Sequence, residues 1–230
     1  MNLQSLKEHR YLILVVALIG ALVLQMGQGE YIYFREAALS VAIAMVFVIV
    51  FERRSHRVVA LCAGLLAIGA AWFLRTLPEL QRHALELVLH LGATIFFALA
   101  VAVILRHLFE RRAINLDDIV GTVCGYLLAA AAWANLYGAI ELVSPGAFSV
   151  TGPIESLLAH WHDRESLFIY FSLTTLTSVG YGDVTPVAAG ARSAAVLQAV
   201  FGQFYIAVVV AQLVGSKLTE ARTADSGRGR

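Results

Sequence analysis

The sequence predicts an all-α membrane protein with six transmembrane helices, one re-entrant helix and a glycine-rich loop. Three observations carry that expectation. Of the 230 residues, 59% are hydrophobic and only 14% charged, with a mean hydropathy of +0.75, whereas soluble domains are nearer ~45–50% apolar. Six segments approach the length of roughly 17–25 apolar residues that crosses a bilayer as a helix. Between the fifth and sixth lies one long polar interruption that contains a helix too short to cross. The formal net charge of +1, without a basic segment interleaved with aromatics, excludes nucleic acid as a partner.

The six segments are Tyr11–Met26, Tyr31–Phe51, Val58–Leu74, Ala84–Leu105, Ile119–Ile140 and Val187–Val214. The first is short and follows Lys7 and Arg10, but Gln25-Met26-Gly27-Gln28 offers no clear small-residue cleavage site, so it is read as a retained helix. Cys62 and Cys124 fall inside apolar runs and read as small packing residues. With both termini cytoplasmic, twelve of the seventeen basic residues lie inside, among them Arg53, Arg54, Arg57, Arg106, Arg111 and Arg112. That bias sets the orientation and puts the polar interruption outside. The loop "ERRSHR" reads first as a positive-inside anchor.

Residues 1–106 form a four-helix membrane domain. Its fourth helix, "ALELVLHLGATIFFALAVAVIL", has no arginine ladder, and voltage sensing needs several charges moving through the field. Steep voltage dependence is therefore not expected. Glu86 and His90 are four apart and share a face. They read as reaching water or headgroups near the outer end, with a proton sensor as the alternative. Residues 107–116 read as an interfacial linker in contact with membrane lipid. Asn115, with Asp118 three residues on, is a start signal for the fifth helix, and the aspartates are caps rather than ion ligands.

In the interruption, Glu141 to Pro186, "ELVSPGAFSVTGP" has the composition of a surface loop. "DRESLFIYFSLTTL" reads as a helix of about three turns with Asp163 as N-cap and Glu165 in the first turn. Because it cannot span, it dips into the membrane and returns, and non-helical backbone at that depth must be buried in protein or line water. After it comes "TLTSVGYGDVTP". An extended strand sends successive carbonyls to opposite sides, so aiming them all at one axis requires positive φ at some residues. Gly180 and Gly182 supply that freely. One such strand is a row of unpaired dipoles, but four around an axis make stacked oxygen rings that can replace the hydration shell of a cation.

"TLTSVGYGD" resembles the selectivity-filter signature of the potassium channel family, and the helix, loop, filter, helix order over about Asp117 to Gly215 resembles that family's pore domain. The resemblance implies passive conduction of K+ by a homotetramer, with residues 117–215 as the pore domain. It implies a filter of Thr177, Ser178, Val179, Gly180, Tyr181 and Gly182. The carbonyls of Ser178 to Tyr181 and the Ser178 hydroxyl would coordinate the ion. Most relatives have threonine where Ser178 stands, which keeps the oxygen but loses the methyl that fixes its rotamer. Tyr181 would brace the filter and Asp183 cap its outer mouth. Tyr170 stands where many relatives have a tryptophan that reaches the aspartate, and interfacial packing is its other reading. The C-terminal end of the short helix would point its partial negative charge at the pore centre.

In the sixth helix, Gly202 matches the position of a glycine taken as a gating hinge in those relatives, and close helix packing is the other reading. Gln203 is a candidate cavity residue, and Gln198 is better placed for contact behind the filter. Residues 216–230, "SKLTEARTADSGRGR", read as a disordered cytoplasmic tail, so no soluble ligand domain is expected. Nothing points to catalysis or to a cofactor: no nucleophile with its base, phosphate loop or metal-ligand cluster is present. A bacterial inner membrane is implied by the resemblance. The rival readings are a weakly selective cation channel and a non-conducting membrane subunit of a potassium transport system.

Overall fold

The computed structural model describes residues 10–26, 79–110, 115–151 and 161–228. In chain order they form α1 (Arg10–Met26), α2 (Glu79–Glu110), α3 (Leu116–Val143), β1 (Phe148–Val150), α4 (Trp161–Leu176), β2 (Val184–Pro186) and α5 (Ala189–Arg228). The predicted spans Tyr31–Phe51 and Val58–Leu74, the loop "ERRSHR" and Cys62 lie outside the described residues.

The chain is a membrane protein. Among the described residues three helical stretches are long and apolar enough to cross a bilayer, His83–Glu110, Leu116–Val143 and Ala189–Ser216, each of 28 residues. At ~1.5 Å per residue each reaches about 42 Å, more than a hydrocarbon core of ~30 Å. The described residues thus show three long spans where six were expected of the chain. α1 is a shorter apolar helix of 17 residues.

The spacing of apolar side chains decides what each helix touches. On α1, Tyr11, Leu14, Leu18 and Ala21 are buried, three or four apart, while Leu12, Val16 and Ile19 are exposed. α2 buries Phe97, Ala100, Val101, Ile104 and Leu108 and exposes Val88, Leu91, Ile95 and Leu99. In lipid that exposed face costs nothing, so both faces of these helices are apolar and only their neighbours differ. α3 is the central element and packs against α1, α2, α4 and α5. Two apolar clusters result. One joins α1, α2, α3 and α5 around Leu14, Ala100, Cys124, Leu128 and Tyr205. The other joins α3, α4 and the start of α5 around Tyr137, Phe148, Phe168 and Phe171.

α3 starts where its cap predicts. The Asn115 side chain accepts from the Asp118 N–H at 2.9 Å, and the Asp118 carboxylate accepts from the Asn115 N–H at 3.1 Å, a reciprocal capping box. Asp117 does something else: its Oδ1 accepts the Tyr11 N–H at 3.2 Å and ties α1 to the start of α3. The Tyr11 ring lies over Gly121, where an added Cβ would come within 3.2 Å of it. Cys124 packs there as a small buried residue whose thiol reaches the Tyr11 carbonyl at 3.4 Å.

Four expectations are corrected. The linker over 107–116 does not begin at 107, because α2 continues through Glu110. Leu108 is buried on the same stripe as Ile104, and Arg106 pairs with Glu110 one turn on at 2.6 Å, so the helix has reason to continue. Asp163 is not the N-cap of the short helix, since α4 already includes Trp161. The supposed surface loop contains β1, which pairs antiparallel with β2 in the register Phe148↔Pro186, Ser149↔Thr185, Val150↔Val184. The 216–230 tail is helical as far as Arg228, because a helix already nucleated by a span propagates at one hydrogen bond per residue.

Candidate functional site

α4 ends at Leu176, and the following backbone folds its N–H groups against the helix end. Thr177 N donates to Leu173 O at 3.0 Å, Ser178 N to Thr175 O at 3.0 Å, and Val179 N and Gly180 N to Thr174 O at 2.8 and 3.3 Å. The Thr177 hydroxyl also donates to Leu173 O, at 2.7 Å. With the donors drawn to one side, the carbonyls are left to the other. Among the described residues none of the carbonyls of Ser178, Val179, Gly180 and Tyr181 accepts a hydrogen bond. The strand is open to its surroundings, with Val179 52% and Tyr181 72% exposed in the single chain.

Backbone angles explain the one-sidedness. Positive φ falls on alternate residues, 59° at Ser178, 53° at Gly180 and 82° at Gly182. Flipping every second residue into the left-handed region undoes the alternation of an ordinary strand. Ser178 is the member that the glycine pattern did not reveal. The available signal was its residue type: a β-branched side chain at positive φ is strained, and serine is less so.

The end of the strand next to β2 is fastened. Tyr170 donates its hydroxyl to Asp183 Oδ2 at 2.6 Å, while Asp183 Oδ1 accepts the Val184 N–H at 3.0 Å. The Tyr170 and Tyr181 rings stack with centroids 6.4 Å apart and planes 2° from parallel. Thr151 N donates to Asp183 O at 2.9 Å, so the β1–β2 ladder holds the residue that caps the strand.

The end of the strand next to α4 rests on α3 and α5. Tyr126 donates its hydroxyl to Leu176 O at 2.9 Å. Gly202 of α5 lies against the same carbonyl so closely that any side chain would collide with backbone. Gly202 is therefore a close-packing position in this conformation. Gln203 donates its amide to the Ser178 hydroxyl at 2.9 Å. Gln198 is fully buried, donates to Ser172 O at 2.9 Å and Ser172 Oγ at 2.7 Å, and accepts the Tyr137 hydroxyl. Ser172 donates its own hydroxyl to Ala130 O at 2.7 Å. One chain of bonds thus links α3, α4 and α5, and Tyr205 adds a bond from α5 to Thr122 O of α3 at 2.7 Å.

Glu86 and His90 are not where the sequence suggested. Instead of reaching headgroups they face α3: Glu86 is buried, and His90 Nδ1 lies 3.2 Å from Asn135 Oδ1. A Cβ on Gly138 would approach His90 Cε1 to 2.8 Å, so α3 leaves room for the imidazole by having no side chain there. Among the described residues no group of three His, Cys, Asp or Glu side chains could hold a metal ion.

The profile of a family described as "Ion channel" matches residues 154–218, which include α4, the strand after it and most of α5. Protein LctB of Bacillus caldotenax is 34% identical over 104 residues, which cover 44% of this chain and 73% of that protein. The chain belongs to the ion channel family. It is a channel, not an enzyme. No solved structure matches it.

Proposed function

We propose that the channel conducts K+ passively and selectively through a pore shared by four copies of the chain. One chain contributes one filter strand, Thr177 to Gly182, and residues 117–215 are the pore domain. The observation that carries this is the row of unpaired carbonyls from Ser178 to Tyr181, set to one side by positive φ at alternate residues. Such a row is intolerable in lipid and useful only when it faces equivalent rows around water and ions. Four α4 C-termini directed at the axis would add partial negative charge for a cation held at mid-membrane.

Ser178 supports selectivity in its own way. Its hydroxyl lacks the methyl that orders a threonine, but the Gln203 amide occupies one lone pair and leaves another for the ion. Tyr170 and Asp183 brace the outer mouth, and Tyr181 packs behind the strand. Bending of α5 at Gly202 would withdraw it from the Leu176 carbonyl and so couple opening to the base of the filter. Residues 1–106 surround the pore without gating charge, so current is not steeply voltage-dependent. Six spans per chain, a bacterial inner membrane and cytoplasmic termini complete the proposal. A weakly selective cation pore is the competing reading, favoured by the loss of the threonine methyl at Ser178.

The deciding measurement is the reversal potential of purified protein in planar bilayers with K+ on one side and Na+ on the other. Reversal near the K+ equilibrium value is expected, and Gly180→Ala, forced to hold a side chain at positive φ, should lose it. Robust wild-type current that reverses near zero overturns selectivity.

A further inference from the structure

Between α1, α2, α3 and α4 lies a cavity of about 230 Å³ that the conducting strand does not border. Glu86, His90, Ala93 and Phe97, three or four apart, form its α2 wall, while Val88, Leu91, Ile95 and Leu99 lie on the exposed face of the same helix. Leu18 and Leu22 of α1 and Phe168 of α4 add hydrocarbon. The charged groups around it are already engaged or shut off. Glu86, Arg164 and Glu165 have partners of their own. Glu141 Oε1 accepts the Gly146 N–H at 2.8 Å, and its Oε2 is sealed in the packing.

His90 differs, and its tautomer follows from its neighbour. Asn135 Nδ2 donates to Ala131 O at 2.9 Å, so Asn135 presents its oxygen to the imidazole. That oxygen can only accept, and its contact of 3.2 Å with His90 Nδ1 therefore puts the ring proton on Nδ1. In the neutral ring Nε2 then carries a lone pair. It has no hydrogen-bond partner among the described residues, yet it is not among the sealed atoms. Gly138 explains the access. The Cε1–Nε2 edge lies over it, where a Cβ would come within 2.8 Å of Cε1 and 3.0 Å of Nε2. No side chain covers that edge, and His90, Asn135 and Gly138 all line the cavity.

An open acceptor among hydrocarbon walls selects a neutral molecule with one donor. An apolar cavity of ~150 Å³ accepts a benzene ring, so this one admits a ring with a hydroxyl. We propose that the cavity binds a phenol, whose hydroxyl donates to His90 Nε2 and whose ring packs among Leu18, Leu22, Phe97 and Phe168. Bound there, it would bridge α2 to α4, the helix that leads into the conducting strand. Binding does not depend on which ion the pore passes.

The test is thermal unfolding of the full chain in detergent with phenol or anisole as probe. Anisole keeps the ring and the oxygen but cannot donate. Phenol should raise the midpoint at free concentrations roughly five-fold or more below those anisole needs. It should also move the nitrogen NMR resonance of His90 Nε2, which anisole should leave in place. His90→Phe keeps a ring over Gly138 without the acceptor and should reduce phenol to the potency of anisole. Ala93→Leu, which fills the cavity from α2, should abolish both effects. Equal potency of phenol and anisole on the wild-type chain overturns the proposal, and so does a phenol effect that survives Ala93→Leu. No effect of either probe, the result expected of a cavity that holds only water, overturns it as well. If His90→Phe does not fold, the wild-type comparison and the Nε2 resonance still decide the outcome.

Discussion

α3 has two seams, and they are built on different physics. Toward α2 and α1 it meets Ala100, Val101, Ile104, Leu14 and Leu18, a contact apolar along its middle, with directed polar contacts toward its ends, Asp117 and Cys124 to Tyr11 and Asn135 to His90. Toward α4 and α5 it meets Ser172, Gln198, Leu176 and Tyr205, joined by directed hydrogen bonds from buried hydroxyls and one buried amide. Apolar packing tolerates small shifts, because each contact is weak and many substitutes exist. A buried hydrogen bond does not, because the partner left behind is stranded. The difference teaches where precision is required: the seam that positions the strand of unpaired carbonyls is the one stitched through its interior by the fully buried Ser172 and Gln198.

The comparison can be broken most forcefully at Gly202. Gly202→Ala drives a methyl into the Leu176 carbonyl and should cost more than ~3 kcal/mol, the upper end of overpacking, seen as a collapsed thermal midpoint and a lost size-exclusion peak in detergent. Normal folding would mean that the pore-side seam yields as easily as the other. Next comes Gln198→Leu, similar in bulk but unable to serve Ser172 and Tyr137. A loss of about 2–3 kcal/mol is expected, and Tyr137→Phe added to it should cost less than it does alone, because one stranded hydroxyl is then gone. Strict additivity in that double-mutant cycle would dissolve the proposed network. The gentlest probe is Ile104→Val on the apolar seam, expected to cost only ~1 kcal/mol by thermal unfolding. A loss as large as that of Gln198→Leu would erase the contrast.

What could be read from the sequence follows the same division. Features that depend on near neighbours were legible. Asn115 and Asp118 are three apart and cap the helix they start, and Gly180 and Gly182 stand where the strand must turn its carbonyls. Features that depend on which face meets which helix were not. Glu86 and His90 share a face in any helix, but only the packing of α2 on α3 decides that the face is internal. Leu108 looked like part of an interfacial linker because nothing local shows that it continues the buried stripe of Ile104. Gln203 was legible as a polar side chain near the pore, yet its bond to Ser178 spans 25 residues of chain and two elements. Ser178 itself was read by its missing methyl, while its backbone angle depended on the strand around it.

The bond from the Tyr11 N–H to Asp117, across 106 residues of chain, has a consequence for biogenesis. α1 is synthesised well before the surface that receives Tyr11, made of Asp117, Gly121 and Cys124. At ~5–20 residues per second a ribosome needs roughly 5–20 s to close that interval. Over that interval the contact with Asp117 does not yet exist, and the apolar face of α1, Leu14, Leu18 and Ala21, favours the bilayer by its hydropathy. That face carries no charged side chain, so the wait costs little, and the polar atom that fixes its final position arrives on the partner helix.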